Sequence, residues 1–117
     1  MSFLKNRIFA FKAAFSGLFE AIKNETHLKI HLIASLIVVL AGFYFQVLIN
    51  EWLWIILCCA LVITAELINS SIETICNIID KNYNPKIKYI KDVSAASVLV
   101  LSVFSVIVAI LIFKKYF

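Results

Sequence analysis

From Trp52 to Ala65 the chain runs WLWIILCCALVITA without a single charged residue, then passes directly into ELINSSIETICNIID, Glu66 to Asp80. Only a helix satisfies its own backbone in a surrounding without water, and the 29 residues from Glu51 to Ile79 hold neither Gly nor Pro to break one. At 1.5 Å per residue that helix is about 43 Å long, more than the roughly 30 Å of bilayer hydrocarbon. One end must emerge, and the polar groups lie on that end. At 100° per residue, Glu66, Asn69, Ser70, Glu73, Asn77 and Asp80 fall within about 60° of one line. Leu67, Ile68, Ile72, Ile75, Ile78 and Ile79 occupy the other side. An ionisable group at the bilayer centre costs at least about 2.5 kcal/mol, so the stripe needs a function that repays it.

The remainder of the chain supports an all-α membrane protein of one domain, residues 1–117. It is 63% hydrophobic and 15% charged, whereas soluble domains are about half apolar. Residues 3–22 place Phe3, Leu4, Ile8, Phe11, Phe15, Leu18, Phe19 and Ile22 at steps of three and four opposite Lys5, Lys12, Ser16, Glu20 and Lys23. That pattern predicts an amphipathic helix lying in the headgroup plane. Three spans are expected at about 28–49, 51–79 and 91–113. Asn50 and Glu51 are the expected turn between the first two, and Lys81 to Ile90, with the only proline, the expected loop before the third. Ser94, Ala95, Ala96 and Ser97 would allow that span a close helix approach. No compact apolar segment with a small-residue cleavage site stands at the N-terminus, so no removable leader is expected. Cys58, Cys59 and Cys76 lie inside apolar helix without metal or disulfide spacing and read as packing residues.

Orientation follows from the basic residues. Five Lys or Arg precede the first span or sit at its mouth, four lie from Lys81 to Lys91, and only Lys114 and Lys115 fall on the opposite side. The bias places the N-terminus and the polar stripe in the cytoplasm. A sequence pI near 9.1 therefore reflects topology, and no nucleic-acid partner is expected.

Glu66 and Glu73 share an azimuth within about 20° but stand about 10.5 Å apart along the axis, too far to bind one ion together. The deeper carboxylate suits a lipid headgroup alcohol and the shallower one a nucleotide phosphate with Mg²⁺. Glu25, at the mouth of the first span, lies at a depth similar to Glu73, and two carboxylates plus phosphate oxygens commonly hold Mg²⁺. Lys91, at the mouth of the third span, can neutralise phosphate charge. Phosphoryl transfer asks for little more than positioning, metal and cation. The glycines, Gly17 and Gly42, form no phosphate loop, which excludes the P-loop and protein-kinase classes. Blander readings stand beside this one. Asn77 and Ser70 suit ordinary helix–helix hydrogen bonds. Lys29, Lys86, Lys88, Lys114 and Lys115 suit topology, and Trp52 and Trp54 an outer aromatic belt. His31 is either a neutral interfacial histidine or a proton carrier. As a whole the chain also fits a small oligomeric channel or proton-conducting subunit, or an assembly subunit without activity, although the stripe stops at Ala65 and leaves the outer half without a polar path.

The segments AFKAAFSGLFEAIKNETHLKIHL (Ala10 to Leu32), AELINSSIE (Ala65 to Glu73) and IKDVSAASVLV (Ile90 to Val100) resemble the small bacterial integral-membrane diacylglycerol kinase and undecaprenol kinase family. The pattern E-x-x-N-[ST]-[SA]-I-E, with a Lys-Asp pair beginning 18 positions after its last Glu, is specific, and the similarity covers nearly the whole chain. The resemblance implies a homotrimer in the bacterial inner membrane, with composite sites between protomers, that moves the γ-phosphate of MgATP to a lipid hydroxyl. It implies Glu66 as the catalytic base, with Asn69 orienting the reacting groups, and Glu25 and Glu73 as metal ligands. Lys91 and Asp92 join Glu25, Glu73 and Asn77 as nucleotide contacts. Ser70 and Asn24 join Glu66 and Asn69 on the lipid side, and Gly17 falls on a motif position of the surface helix. The family usually has an acid where this chain has Asn77, and Asp80 is the candidate substitute. KIHL, with His31 where the enteric diacylglycerol kinases have a carboxylate, is closer to the undecaprenol kinases. Both alcohols remain open, with undecaprenol preferred.

Overall fold

The structure is a computed structural model and describes residues 2–117. Helices α1 (Ser2–Asn24), α2 (Thr26–Phe45), α3 (Ile49–Ile79) and α4 (Pro85–Phe113) follow one another, and a 3-10 turn at Lys114–Tyr116 ends the chain. No strand occurs among the described residues. The protein is all-α, and α2, α3 and the helix beginning at Pro85 are each long and apolar enough to cross a membrane.

The four helices form a slab of 49 × 48 × 20 Å. Three helices side by side at 8–10 Å spacing are only about 25 Å wide, so the second long dimension comes from α1 running out of the bundle. No residue of α1 is buried, and Phe3, Phe9, Phe11, Phe15 and Phe19 are all more than half exposed. The corner between α1 and α2 is a single residue. Glu25 is extended, with φ −105° and ψ 112°; its N–H still closes α1 on Ala21 O at 2.8 Å, and its carbonyl already accepts from Lys29 N at 3.2 Å. Leu28, 1% exposed, pins the inside of that corner.

Two boundaries differ from the sequence expectation. The first turn is Gln46 to Leu48, not Asn50 and Glu51, which lie in the first turn of α3. Gln46 adopts the left-handed conformation, φ 53°, that closes a helix. Glu51 then folds back to accept from Leu48 N at 3.0 Å, so a residue expected to break the helix starts it. The loop before α4 is also shorter than Lys81 to Ile90, because helix begins at Pro85. Proline suits a first helical position, and the Asn84 side chain caps it by accepting from Lys86 N at 3.0 Å.

The helices meet on a stripe of α3, where Ile55, Cys58, Val62, Ala65, Glu66, Asn69 and Cys76 are buried at helical spacing. At the end away from Glu25, Val47, Ile55 and Ile112 form a core with Trp52, Phe45 and Tyr116 against it. Lys115 Nζ reaches Glu51 Oε2 at 2.6 Å there. All three cysteines are free, Cys58 and Cys76 buried and Cys59 half-buried.

Candidate functional site

The polar stripe of α3 divides by depth. Glu66 and Asn69 are 5% and 6% exposed, the most buried polar groups of that helix. Ser70, Glu73 and Asp80 are half-buried and Asn77 is exposed. Burial of a carboxylate at Glu66 is costly unless it finds a partner. The neighbouring span supplies one: His31 Nε2 of α2 lies 3.5 Å from Glu66 Oε2.

One turn along, Asn69 Nδ2 donates to Glu73 Oε1 at 3.3 Å. An ionised carboxylate only accepts, so the amide NH₂ must face Glu73. Asn69 Oδ1 is left buried without a partner, as is Ser94 Oγ on α4. Buried polar atoms are nearly always paired in folded proteins; Asn69 Oδ1 can accept, and Ser94 Oγ can donate or accept, one further hydrogen bond.

At the shallow end Lys91 Nζ donates to Asn77 Oδ1 at 2.6 Å, joining α4 to α3. The expected nucleotide contact is thus already placed over the stripe by the residue that departs from the family pattern. Asp92 pairs with Lys88 at 2.6 Å on the exposed side of α4. Asp80, the candidate substitute for an acid at Asn77, is engaged with the loop that follows α3, accepting from Asn82 N at 2.9 Å and Asn84 Nδ2 at 3.4 Å. Lys81, Lys88 and Lys91, with Asp80 and Asp92, line a cleft of about 270 Å³ at this end. Asn24 is exposed at the last position of α1, and a Cβ at Gly17 would meet nothing within 4 Å.

Glu25 is half-buried at the corner, and its side chain makes no capping hydrogen bond to α2. Among the described residues no three of His, Cys, Asp and Glu come together to hold a metal. The donor set nevertheless suits Mg²⁺, a hard cation that takes one or two protein carboxylates and completes its shell with phosphate and water.

A second, apolar groove of about 320 Å³ opens between α2, α3 and α4, with His31 among its walls and Ser35, Val38, Val62, Ser105 and Ile112 along it. Sequence reasoning did not find this groove, and it gave His31 no partner. The available signal was the position of His31 inside an apolar span, where an ionisable side chain generally faces another polar group.

Comparison with known proteins places the chain among relatives. The sequence model of the family described as prokaryotic diacylglycerol kinase matches residues 12–113. The chain is also 34% identical over 109 residues to the undecaprenol kinase of Bacillus subtilis (strain 168), across 92% of this chain and 89% of that protein.

Proposed function

The chain belongs to the prokaryotic diacylglycerol kinase family and is a lipid kinase, a phosphotransferase of the membrane, and from that premise we propose that it carries the γ-phosphate of MgATP to the hydroxyl of undecaprenol. Membership in a kinase family sets aside the channel reading. The observation that carries the proposal is the graded stripe on α3, with a buried carboxylate at Glu66, a half-buried one at Glu73, and Lys91 held over the shallow end.

Glu66 takes the proton as the lipid O–H bond breaks. The alcohol oxygen bonds to the γ-phosphorus, the bond from that phosphorus to the β–γ bridging oxygen breaks, and ADP leaves with the electron pair. Asn69, fixed by Glu73, offers Oδ1 to orient the reacting groups, and Ser70 and Asn24 flank the lipid side. Lys91 holds phosphate charge, helped by the lysines of the inner cleft, while Asn77 fixes the ammonium position. Asp92 contributes at the rim of that cleft. Glu25 and Glu73 would hold Mg²⁺, which when bound neutralises charge on the β- and γ-phosphate oxygens.

The active assembly is a homotrimer in the bacterial inner membrane, its sites facing the cytoplasm. In support, much of each span stays bare in one protomer, with Ile33, Ile37, Leu40, Ile56 and Ile68 more than half exposed. The nine-to-two distribution of Lys and Arg supports the orientation. Undecaprenol is preferred over diacylglycerol because the similar Bacillus protein is named for it. Purified protein in mixed micelles, given MgATP and each alcohol in turn, tests all of this. Undecaprenyl phosphate should form with the higher kcat/KM. A preference for diacylglycerol would overturn the substrate, and no lipid phosphate from either would overturn the reading.

A further inference from the structure

Glu66 is the group on which the reaction turns, yet its own helix does nothing to aim it. Asn69, the nearest polar residue along the stripe, gives its NH₂ to Glu73. Among the described residues, the charged or ionisable side chain within ion-pairing distance of Glu66 is His31, from a different helix, at 3.5 Å from Nε2 to Oε2. His31 sits in the second turn of α2, six residues beyond the corner residue Glu25. It also forms part of the wall of the apolar groove between the three spans, and its side chain keeps 22% exposure while that of Glu66 keeps 6%. The imidazole thus borders both the groove and the carboxylate. A separation of 3.5 Å is longer than a formed N–H···O bond, as is common before substrate tightens a site.

We propose that His31 is the positioning residue for the Glu66 base: Nε2–H holds Oε2, which fixes the carboxylate rotamer and leaves Oε1 free for the lipid hydroxyl. The inference rests on the assignment of Glu66 as base under the proposed function. A glutamate carboxylate has three χ angles to fix before its oxygen meets the hydroxyl, and a misplacement of about 1 Å costs on the order of a hundredfold in rate. A neighbouring span that holds one oxygen removes that freedom without competing for the other. His31 does not itself touch the reacting atoms in this scheme.

The test is a double-mutant cycle in the micelle assay with MgATP and undecaprenol, using wild type, His31→Leu, Glu66→Gln and the double variant. High enzyme concentration makes the residual rate of Glu66→Gln measurable, and size-exclusion chromatography monitors assembly. In the wild-type background His31→Leu should lower kcat about 10- to 100-fold and leave KM for ATP within about twofold. In the Glu66→Gln background the same change should alter the rate by less than about twofold, because the group it positions has lost its function. His31→Gln, whose amide reaches the place of Nε2, should recover more kcat than the shorter His31→Asn, and this comparison decides the matter if the leucine variant does not assemble. Wild-type kcat in His31→Leu, equal losses in both backgrounds, or Gln no better than Asn would overturn the positioning role. Full activity in Glu66→Gln would instead overturn the base assignment, and with it any base for His31 to position.

Discussion

Gly42→Ala is a perturbation whose cost is set by one contact. An added Cβ would stand 2.7, 3.0 and 3.1 Å from Cη2, Cζ2 and Cζ3 of Trp52. Carbon atoms rest at about 3.5–4.0 Å, so the indole must retreat by close to 1 Å. It has little room, because its ring leans on Phe43 with centroids 4.7 Å apart and packs on the Val47, Ile55 and Ile112 core. Overpacking of this kind costs about 1–3 kcal/mol, opposed by about 1 kcal/mol gained when alanine replaces glycine within a helix. Gly17→Ala isolates the second term, since nothing lies within 4 Å of its added Cβ. Gly17→Ala should therefore stabilise by up to about 1 kcal/mol, and Gly42→Ala should destabilise by up to about 2 kcal/mol. The gap between them, about 1–3 kcal/mol, is the clash alone. Denaturant unfolding in detergent micelles, followed by helical circular dichroism, measures both variants. In a Trp52→Leu background the gap should close, because the obstructing ring is gone. A gap below about 0.5 kcal/mol with Trp52 present, within the range of uneventful surface changes, would refute the packing of α2 on α3 described above.

Other perturbations address the cap, the turn and the nucleotide end. Asn84→Ala removes the acceptor for Lys86 N and should cost about 0.5–2 kcal/mol in the same unfolding experiment. Gln46→Gly relieves a left-handed residue and should stabilise by about 0.5–1 kcal/mol; a loss of stability would mean that the Gln46 side chain matters more than its backbone. Lys115→Met should lower the unfolding midpoint at low salt, and the deficit should shrink as NaCl is raised. Lys91→Met should raise KM for ATP about tenfold, the loss of one charge-assisted contact, with a smaller change in KM for the lipid.

Much of the fold is legible in the sequence because hydrocarbon admits few structures. A charge-free run such as Trp52 to Ala65 can only be helix in hydrocarbon, and the spacing of apolar and basic residues before Asn24 is that of the amphipathic helix α1. The ends of the helices are less legible. Asn50, Glu51 and the segment from Pro85 to Ile90 look like breakers by composition. Glu51 and Asn84 become helix starters because their side chains accept from first-turn backbone N–H groups, Glu51 reaching back to Leu48 and Asn84 forward to Lys86, an outcome set by backbone direction and not by residue type. At the site, periodicity along α3 places Glu66 and Asn69 on one buried line, and both are indeed its deepest polar groups. Contacts between helices are another matter. The pairings of His31 with Glu66 and of Lys91 with Asn77 depend on the relative heights of separate spans. No repeat within one helix encodes those heights. The engagement of Asp80 with its own loop, and of Asp92 with Lys88, similarly reflects short-range hydrogen bonding that competes with any role on the stripe.

The most direct measurement is a single-turnover transfer from γ-labelled ATP to undecaprenol in micelles, comparing Glu66→Gln with wild type at equal assembly and saturating nucleotide. With the proton acceptor removed and the oxygen framework kept, label should reach the lipid about 10²- to 10⁴-fold more slowly, while nucleotide binding stays unchanged. Label reaching undecaprenol at the wild-type rate would contradict the account, because the buried carboxylate of α3 would then have no part in the chemistry.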